Sequence, residues 1–334
     1  MSHKLTNLAS EYIEYLDEQI KRKKKSWQTG QLTRRAFKKL IMCIGDIDLQ
    51  FLSVEHAERF QNWMLDRYEK TSVNMYMKTL GPAFNWAANR RHWIKEGVFK
   101  VPLLKITKKR MRIYKPHEFN AMLLAAPNDM WRGRLLCGHD LGMRRSEVMH
   151  LIISDIDYDR GEIHIQPKKE TQTTLAWEPK DRDCRVLPMI DRVSKTLLKI
   201  QNELPAGQPY LLLSDFRYYR VMQLRRQGRL SERIRLNLEE NFTKPFDRIL
   251  QRAKVPHGTF HDLRKTYLTE LAESGLPQHW LQELAGHSDP QTTRNYYISV
   301  RRNKMLSETR FLLNLMADEQ SYDPITLGLN ALEL

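Results

Sequence analysis

The most informative stretch of the chain lies near its C-terminal end and finishes in a tyrosine. It reads Leu284-Ala285-Gly286-His287-Ser288-Asp289-Pro290-Gln291-Thr292-Thr293-Arg294-Asn295-Tyr296, with the tyrosine nine residues after the histidine. Three earlier strings carry further charged side chains: Leu141-Gly142-Met143-Arg144 with Glu147, Lys180 five residues before Arg185, and His261-Asp262-Leu263-Arg264. Two arginines, a lysine, two histidines and a late tyrosine are together what breaking and rejoining a DNA phosphodiester through a covalent link requires.

The charge of the chain favours a polyanionic partner. Its 334 residues include 55 Lys plus Arg and 40 Asp plus Glu, which gives a formal net charge of +15 at pH 7. The excess is spread over the whole chain, as expected of a protein that binds nucleic acid; the alternative is that the charge serves solubility alone. The length allows two domains, each able to bury its own core.

Cysteine usage and hydropathy predict a cytoplasmic protein. Cys43, Cys137 and Cys184 lie far apart, so neither a CxxC metal pair nor a disulfide framework is predicted, and a reducing compartment fits best. No apolar run approaches the ~18 residues needed to span a bilayer, so neither export nor membrane insertion is expected. The chain carries no Gly-rich phosphate loop. We therefore predict that the protein uses no metal and no cofactor.

Residues 1–104 have apolar side chains at helical spacing and almost no strand signal, which predicts a small helical bundle. The first helix shows the spacing through Leu8, Tyr12, Leu16 and Ile20. Ser53 is predicted to be the N-cap of a later helix. Gly81-Pro82 falls inside the fourth helical pattern. Because proline removes a backbone donor and clashes with the preceding turn, we expect a kink or a break there.

Residues 105–113 form a basic stretch between two periodic regions and are interpreted as the linker. Its cations are predicted to cross the DNA backbone, and a solvated loop is the alternative interpretation of the same charges. The side chains concerned are Lys105, Lys108, Lys109, Arg110 and Arg112.

Residues 114–334 are predicted to form a second domain that is mainly α with a small antiparallel β-sheet. Strand signals that alternate or are β-branched occur at 161–166, 174–178 and 185–189. Helical spacing begins at Lys115 and returns in the segments 131–143, 190–203, 215–227, 241–253, 261–274, 277–285, 290–298 and 301–317.

Four of the candidate catalytic side chains form two pairs, each with an interval of three residues. His261 and Arg264 are three residues apart, so both lie on one face of a helix, and residues 256–259 offer a turn and a cap before it. Arg144 precedes Glu147 by three residues, so the carboxylate can reach back to orient the guanidinium. Two arginines can grip both non-bridging oxygens of a phosphodiester and meet the charge that grows there in a pentacoordinate transition state.

With these strings the chain resembles the tyrosine recombinases of the phage integrase family over nearly its whole length. Residues 284–296 are similar to the family's LGH…TT…Y box, and Pro179-Lys180 with Arg185-Val186-Leu187-Pro188 is similar to its β-hairpin. Phe84-Asn85-Trp86-Ala87 and Arg91-His92-Trp93-Ile94 resemble its core-binding domain. The resemblance implies a helical core-binding, SAM-like DNA-binding domain over 1–104, a basic linker over 105–113, and a tyrosine-recombinase catalytic domain over 114–334 that ends in a tail helix.

The resemblance also implies a role for each residue of the catalytic set. Arg144 and Arg264 clamp the scissile phosphate, and His287 is a third donor to it. His261 assists proton removal from the nucleophile. Glu147 supports the arginine three residues before it.

The lysine and the tyrosine of the set each have competitors nearby. The resemblance makes Lys180 the general acid that protonates the 5′-oxygen leaving group, with Lys168 and Lys169 as competitors. Tyr296 is the nucleophile that the spacing favours, and Tyr297 is then a packing aromatic. A phenol has an unperturbed pKa of about 10, so it needs a base or a cationic site for activation.

These roles imply a protein that cuts each strand through a 3′-phosphotyrosine, exchanges the free 5′-hydroxyl ends and reseals them, as a homotetramer on two double-stranded DNA sites. We expect an integrase for the integration or excision of a mobile element or prophage. The alternatives are a Xer-like chromosome or plasmid dimer resolvase, a type IB topoisomerase, and a DNA-binding regulator that has lost catalysis. An apolar helical face from Met305 to Met316 docks either on its own domain or on the neighbouring protomer.

Overall fold

A computed structural model gives the structure of residues 3–107, 111–180, 184–239 and 241–286, together with Arg294, 309–310 and 313–314. The chain divides into two compact units, Met1–Lys109 and Arg110–Leu334. The division falls inside the basic stretch 105–113.

The first unit is a bundle of helices. These are α1 (Leu5–Lys21), α2 (Trp27–Ile44), α3 (Val54–Leu65) and α4 (Lys70–Asn89), with a short 3-10 helix at Leu49–Phe51. Helix α2 packs against α1, α3 and α4. The buried core includes Leu8, Tyr12, Leu16, Phe37, Leu40, Phe60, Leu80 and Phe84. The predicted helical bundle is confirmed, because apolar residues at helical spacing form its interior.

Helix α4 continues through Pro82 without a break. Of the kink or break expected there, the break is wrong. Lys78, four residues earlier, and Pro82 are both exposed. The carbonyl that loses its donor at the proline thus lies on the solvent side of the helix, where water can replace the missing hydrogen bond.

The second unit is mainly helical, as predicted. Its helices are α5 (Pro116–Ala125), α6 (Asp129–His139), α7 (Arg145–Met149), α8 (Asp191–Glu203), α9 (Asp215–Arg226), α10 (Glu232–Leu236), α11 (Thr243–Arg252), α12 (Phe260–Glu273) and α13 (Gln278–Ala285). Helix α6 packs against α12 and α8, and α12 also packs against α13. The short helix α10 was not predicted, and α7 was implied only by the expectation that Glu147 reaches back along a helix to Arg144. The helices predicted at 290–298 and 301–317 lie outside the described residues, apart from the few positions given above.

A three-stranded antiparallel sheet completes this unit, in the order β1 (Ile156–Asp157), β2 (Glu162–Ile165) and β3 (Arg185–Pro188). In the register of β2 and β3, Ile163 faces Leu187 and Ile165 faces Arg185. All four of these side chains are buried. Side chains alternate between faces along a strand, so this register brings Arg185 to the buried face of the sheet.

The sheet differs from the prediction at two strands. Residues 174–178 form only an isolated bridge, between Trp177 and Lys168, while β1 was not predicted. The backbone of 174–178 is bound by side chains instead: the Leu175 amide donates to the Tyr210 hydroxyl at 2.8 Å, and Thr174 is joined to Thr171 in a turn. Sequence pattern alone does not reveal such distant partners. Among the helices that the structure describes, none is long and apolar enough to cross a bilayer.

Candidate active site

Helix α12 presents two of the candidate catalytic residues. Thr259 is its N-cap, and the amide and hydroxyl of Thr259 both donate to Asp262 Oδ2 at 2.7 Å. This closed cap fixes the first turn, from which His261 and Arg264 project three residues apart. The predicted cap before the histidine is thereby confirmed. Asp262 also accepts from Lys265 at 2.6 Å, so its carboxylate is used entirely in positioning the helix.

Gly142, two residues before Arg144, occupies a position where only glycine fits. Gly142 has φ +61°, and a Cβ built on it would lie 2.3 Å from the Tyr267 ring. Its carbonyl accepts from Arg264 Nη1 at 2.6 Å. The turn at Gly142 therefore ends α6 at His139 rather than at 143 and joins the two candidate phosphate-binding strings.

Arg144 and Glu147 contact each other as predicted. Arg144 is the N-cap of α7; its amide donates to Glu147 Oε2 at 2.7 Å, and its Nη1 donates to Glu147 Oε1 at 2.8 Å. The Glu147 side chain is fully buried, while the Arg144 side chain keeps 15% of its surface exposed. Glu147 thus holds both the main chain and the guanidinium of Arg144, whose other face can still meet a ligand.

Arg185 is a site residue that was not predicted. In the sequence it was used only to locate Lys180, as part of the hairpin string that follows this lysine. Its Nη1 and Nη2 donate to the two Glu147 oxygens at 3.0 and 2.7 Å, and its Nε donates to the Leu284 carbonyl at 2.9 Å. The signal was present in the sequence: a charged residue stands at an inward position of an alternating strand, where burial demands a partner.

The three arginines all reach the C-terminal end of α13. Arg185 donates to the carbonyl of Leu284, Arg264 Nη2 to that of Ala285, and Arg144 Nη2 to that of Gly286. Gly286 caps this helix in the left-handed conformation, with φ 59° and ψ 57°. The last carbonyls of a helix lack partners within the helix and carry partial negative charge, which guanidinium groups satisfy. The structure therefore brings Arg144 and Arg264 together, at the residue directly before His287.

The charges of this cluster determine the protonation state of Glu147. Burial acts to raise the pKa of Glu147, but the hydrogen bond and charge of Arg185, with the charges of Arg144 and Arg264, lower it to about 2. Glu147 is therefore a carboxylate at neutral pH. Among the described residues of this cluster, one buried carboxylate stands against three guanidinium groups, so positive charge is in excess there.

His261 lies in the field of the same arginines. Partial desolvation of its ring lowers the pKa of His261 below the usual 6.5, and the charges of Arg264, Lys265 and Arg144 lower it further, against the opposing charge of Asp262. The imidazole is therefore neutral at pH 7, the state in which it can accept a proton.

The three candidate lysines differ in burial and in their partners. Lys168 is buried, and its Nζ pairs with Asp155 Oδ1 and donates to the Gln166 carbonyl at 3.0 Å. Lys169 and Lys180 are exposed. Lys180 lies directly before residues 181–183, which are outside the described part of the chain.

Several predicted residues stand apart from the arginine cluster or outside the described residues. His287 and Tyr296 are outside them, as are Lys108, Lys109 and Arg110. Lys105 is exposed in the first unit. Arg112, in the second unit, is engaged within the protein: its guanidinium pairs with Glu118 at 2.9 Å and lies 4.8 Å from the centre of the Tyr114 ring. Within the described part of the chain, no group of three or more His, Cys, Asp or Glu side chains is placed to hold a metal ion.

Comparison with known families covers both units. Residues 116–304 match the phage integrase family, and residues 10–109 match the phage integrase SAM-like domain.

Individual relatives carry related names. The chain is 28% identical over 177 residues to a tyrosine recombinase XerC-like protein of Caldanaerobacter subterraneus subsp. tengcongensis, covering 48% of this chain and 43% of that protein. It is 27% identical over 231 residues to the tyrosine recombinase XerA of Thermococcus kodakarensis, covering 69% and 71%. The integrase of Salmonella phage P22 is 23% identical over 213 residues, covering 63% and 49%. The chain thus spans less than half of the length of the first relative and about half of that of the phage protein.

Solved structures share the fold. The integrase of transposon Tn1549 in complex with a circular intermediate DNA has a TM-score of 0.70 at 18% identity, over 92% of this chain and all of that one (100%). A lambda integrase tetramer bound to a Holliday junction has a TM-score of 0.65 at 18% identity, over 88% and 77%. At this identity the likeness establishes the architecture.

Proposed function

The chain belongs to the phage integrase family of tyrosine recombinases, and from that premise we propose that it is a site-specific DNA recombinase. It cleaves and rejoins DNA through a 3′-phosphotyrosyl intermediate. One observation carries the proposal: Arg144 and Arg264, 120 residues apart in the chain, converge on neighbouring carbonyls at the residue that precedes His287. An excess of fixed positive charge at such a point suits the growing charge of a phosphodiester under attack.

In this proposal each residue of the set acts on one part of the phosphodiester. Arg144 and Arg264 bind the non-bridging oxygens, with His287 as a further donor. Tyr296 attacks phosphorus and displaces the 5′-oxygen, and neutral His261 takes the phenolic proton. The bond energy is kept in the phosphotyrosine, so a free 5′-hydroxyl can reverse the step without a cofactor.

Lys180 is the proposed general acid for the 5′-oxygen. Support comes from the engagement of its competitor: the Lys168 ammonium is buried against Asp155, whereas Lys180 is exposed. Lys169, also exposed, remains the alternative. A lysine that must reach a DNA leaving group needs an accessible ammonium.

The proposed partner is double-stranded DNA at specific recombination sites. The net charge of +15 supports it, and the structural relatives include integrases in complex with DNA, one of them a tetramer on a Holliday junction. We propose the same assembly of four protomers on two sites, in the cytoplasm, acting in the integration or excision of a mobile element or prophage. Lys105, Lys108, Lys109, Arg110 and Arg112 are the proposed linker contacts, and affinity falls steeply with salt because phosphate contacts dominate it.

The test uses nicked duplexes from the DNA that flanks the gene, incubated with protein, denatured and resolved for covalent protein–DNA adducts. The wild type and the control Tyr297→Phe are expected to form the adduct, and Tyr296→Phe is expected to form none. An adduct with Tyr296→Phe would show that another residue is the nucleophile. Duplex binding without any adduct from the wild type would favour a regulator that has lost catalysis. Catalytic relaxation of supercoiled DNA by a monomer would favour a type IB topoisomerase.

A further inference from the structure

Arg185 has a place in the arginine cluster that differs from those of Arg144 and Arg264. Its side chain is 1% exposed, and its guanidinium is divided between Glu147 and the Leu284 carbonyl. A side chain so enclosed is not available to contact DNA. Any part that it takes in the reaction must pass through the groups it holds.

We propose that Arg185 is a positioning residue for phosphodiester cleavage: it ties Glu147 to the C-terminal end of α13, and so sets both the Arg144 fork and the point where the chain enters His287–Tyr296. This inference rests on the proposed recombinase function.

Glu147 is shared between Arg144 and Arg185. Its Oε1 accepts from both Arg144 Nη1 and Arg185 Nη1, at 2.8 and 3.0 Å, while its Oε2 accepts from the Arg144 amide and from Arg185 Nη2, both at 2.7 Å. The two bonds from Arg185 fix the plane of the carboxylate. Without them Glu147 can rotate about its remaining bonds, and the Arg144 guanidinium moves with it.

Arg185 also binds the C-terminal end of α13. The Nε of Arg185 binds the Leu284 carbonyl, next to the Ala285 and Gly286 carbonyls that Arg264 and Arg144 bind. The sequence continues from Gly286 directly to His287 and reaches Tyr296 ten residues later. Strand β3 is thereby joined to the helix end from which the donor and the nucleophile follow. A displacement of about 1 Å in reacting groups can lower a rate about 100-fold.

Lysine cannot replace this arrangement, because it carries a single ammonium instead of a planar fork with a separate Nε donor. Arg185→Lys keeps the positive charge and loses the planar arrangement of donors that binds Glu147 and the Leu284 carbonyl together. The matched control is Arg192→Lys, since Arg192 binds Asp140 with two guanidinium nitrogens but is half exposed on α8 and lies outside the cluster.

The experiment measures single-turnover cleavage of a nicked duplex at saturating protein, together with DNA affinity and hydrogen exchange. For Arg185→Lys we expect a cleavage rate about 100-fold lower, unchanged DNA affinity, and faster exchange confined to the C-terminal end of α13. Arg192→Lys is expected to match the wild type in all three. Faster exchange throughout the second unit would show a merely structural role and overturn the proposal, as would wild-type cleavage by Arg185→Lys.

A double-mutant cycle tests whether Arg185 acts through Glu147. In a Glu147→Gln background, Arg185→Lys is expected to lower the rate little further, because the group that it positions is already altered. Full additivity of the two losses would contradict the route through Glu147. If Arg185→Lys fails to fold, the neutral pair Glu147→Gln with Arg185→Gln replaces it. We expect this pair to fold, because it removes the Glu147 carboxylate together with the Arg185 guanidinium and so leaves neither member of that ion pair alone. We also expect it to cleave slowly, and cleavage at the wild-type rate would overturn the proposal.

Failure of this inference is distinct from failure of the proposed function. A wild type that binds DNA and forms no adduct overturns both. A wild type that forms the adduct, with Arg185→Lys equally fast, overturns only the positioning role.

Discussion

Two regions of the second unit each bury a carboxylate against a cation, and they differ in charge balance. In the arginine cluster, Glu147 and Arg185 are 0% and 1% exposed, and Arg144 and Arg264 are added to them. In the Asp155–Lys168 pair, the side chains are 1% and 5% exposed, and one carboxylate meets one ammonium. Burial and pairing are common to both regions. Among the described residues, the cluster has positive charge in excess and the pair does not. Such an excess suits a phosphodiester, whereas a balanced pair stabilises the fold.

The largest expected effect tests that excess charge directly. Arg264→Lys should lower the single-turnover cleavage rate by about 10²–10³-fold, since a fixed transition-state donor is lost and lysine cannot reproduce the fork. The matched control is Arg134→Lys, a buried arginine that pairs with Glu239 and donates to the Leu212 carbonyl at 3.0 Å. The control should change stability without changing the rate of the folded enzyme. Equal rate losses in the two variants would show that the excess charge of the cluster has no special part in cleavage.

A second effect concerns stability. Glu147→Gln should lower the free energy of unfolding by ~3–5 kcal/mol, because buried Arg185 keeps its charge and loses its partner. Asp155→Asn should cost less, because desolvation already lowers the pKa of Lys168 and a lysine, unlike an arginine, can shed its proton. Urea unfolding at pH 7 measures the free energy of unfolding of both variants. A larger loss for Asp155→Asn would contradict the distinction between the two regions.

The pH dependence of stability follows from the same carboxylate. The pKa of Glu147 is lowered from 4.5 to about 2, so its contribution is complete above pH 4.5 and is lost as the pH falls towards 2. Urea midpoints of the wild type should therefore fall more steeply over this window than those of Glu147→Gln. Parallel curves for the two proteins would contradict the assignment.

A smaller loss of stability is expected from a substitution at Gly142, the glycine of the arginine cluster. Gly142→Ala should destabilise the protein by ~1–3 kcal/mol, because an alanine there combines a positive φ with a clash against the Tyr267 ring. Gly228→Ala is the matched control, with φ +66° and open space around the added Cβ. Its loss of stability should be smaller, since it carries the backbone strain alone. Thermal unfolding of both variants measures the difference, and equal losses would show that the contact with Tyr267 has no effect.

The smallest expected effect is the pH profile of cleavage. The pKa of His261 is lowered below the usual 6.5, first by desolvation and then by Arg264, so the neutral form still predominates at pH 6.5. The cleavage rate should therefore decline with falling pH only at a lower pH than an ordinary histidine would cause. A decline that begins well above pH 6.5 would show that His261 does not accept the proton. Arg192→Lys should keep the wild-type profile.

Much of the local structure followed from sequence spacing. The interval of three residues placed His261 with Arg264 on α12, and Arg144 with Glu147, because such neighbours meet within one helical turn. Helical periodicity identified the bundle of the first unit through residues such as Leu8 and Leu16. Segment 174–178 failed as a strand because the Tyr210 hydroxyl, 35 residues away, takes its backbone donor. The unbroken α4 likewise depends on which face of that helix meets water.

Short intervals in the sequence were sufficient to predict the family resemblance, the mainly helical fold with a small sheet, and the contact between Arg144 and Glu147. These depend on intervals of a few residues, which the geometry of a helix or a strand converts directly into neighbours. Tertiary packing sets the contacts of Arg185 with Glu147, 38 residues away, and with Leu284, 99 residues away, and it pairs Lys168 with Asp155. Those contacts arise from the register of β2 with β3 and the packing of α13 against β3, and no local pattern encodes either.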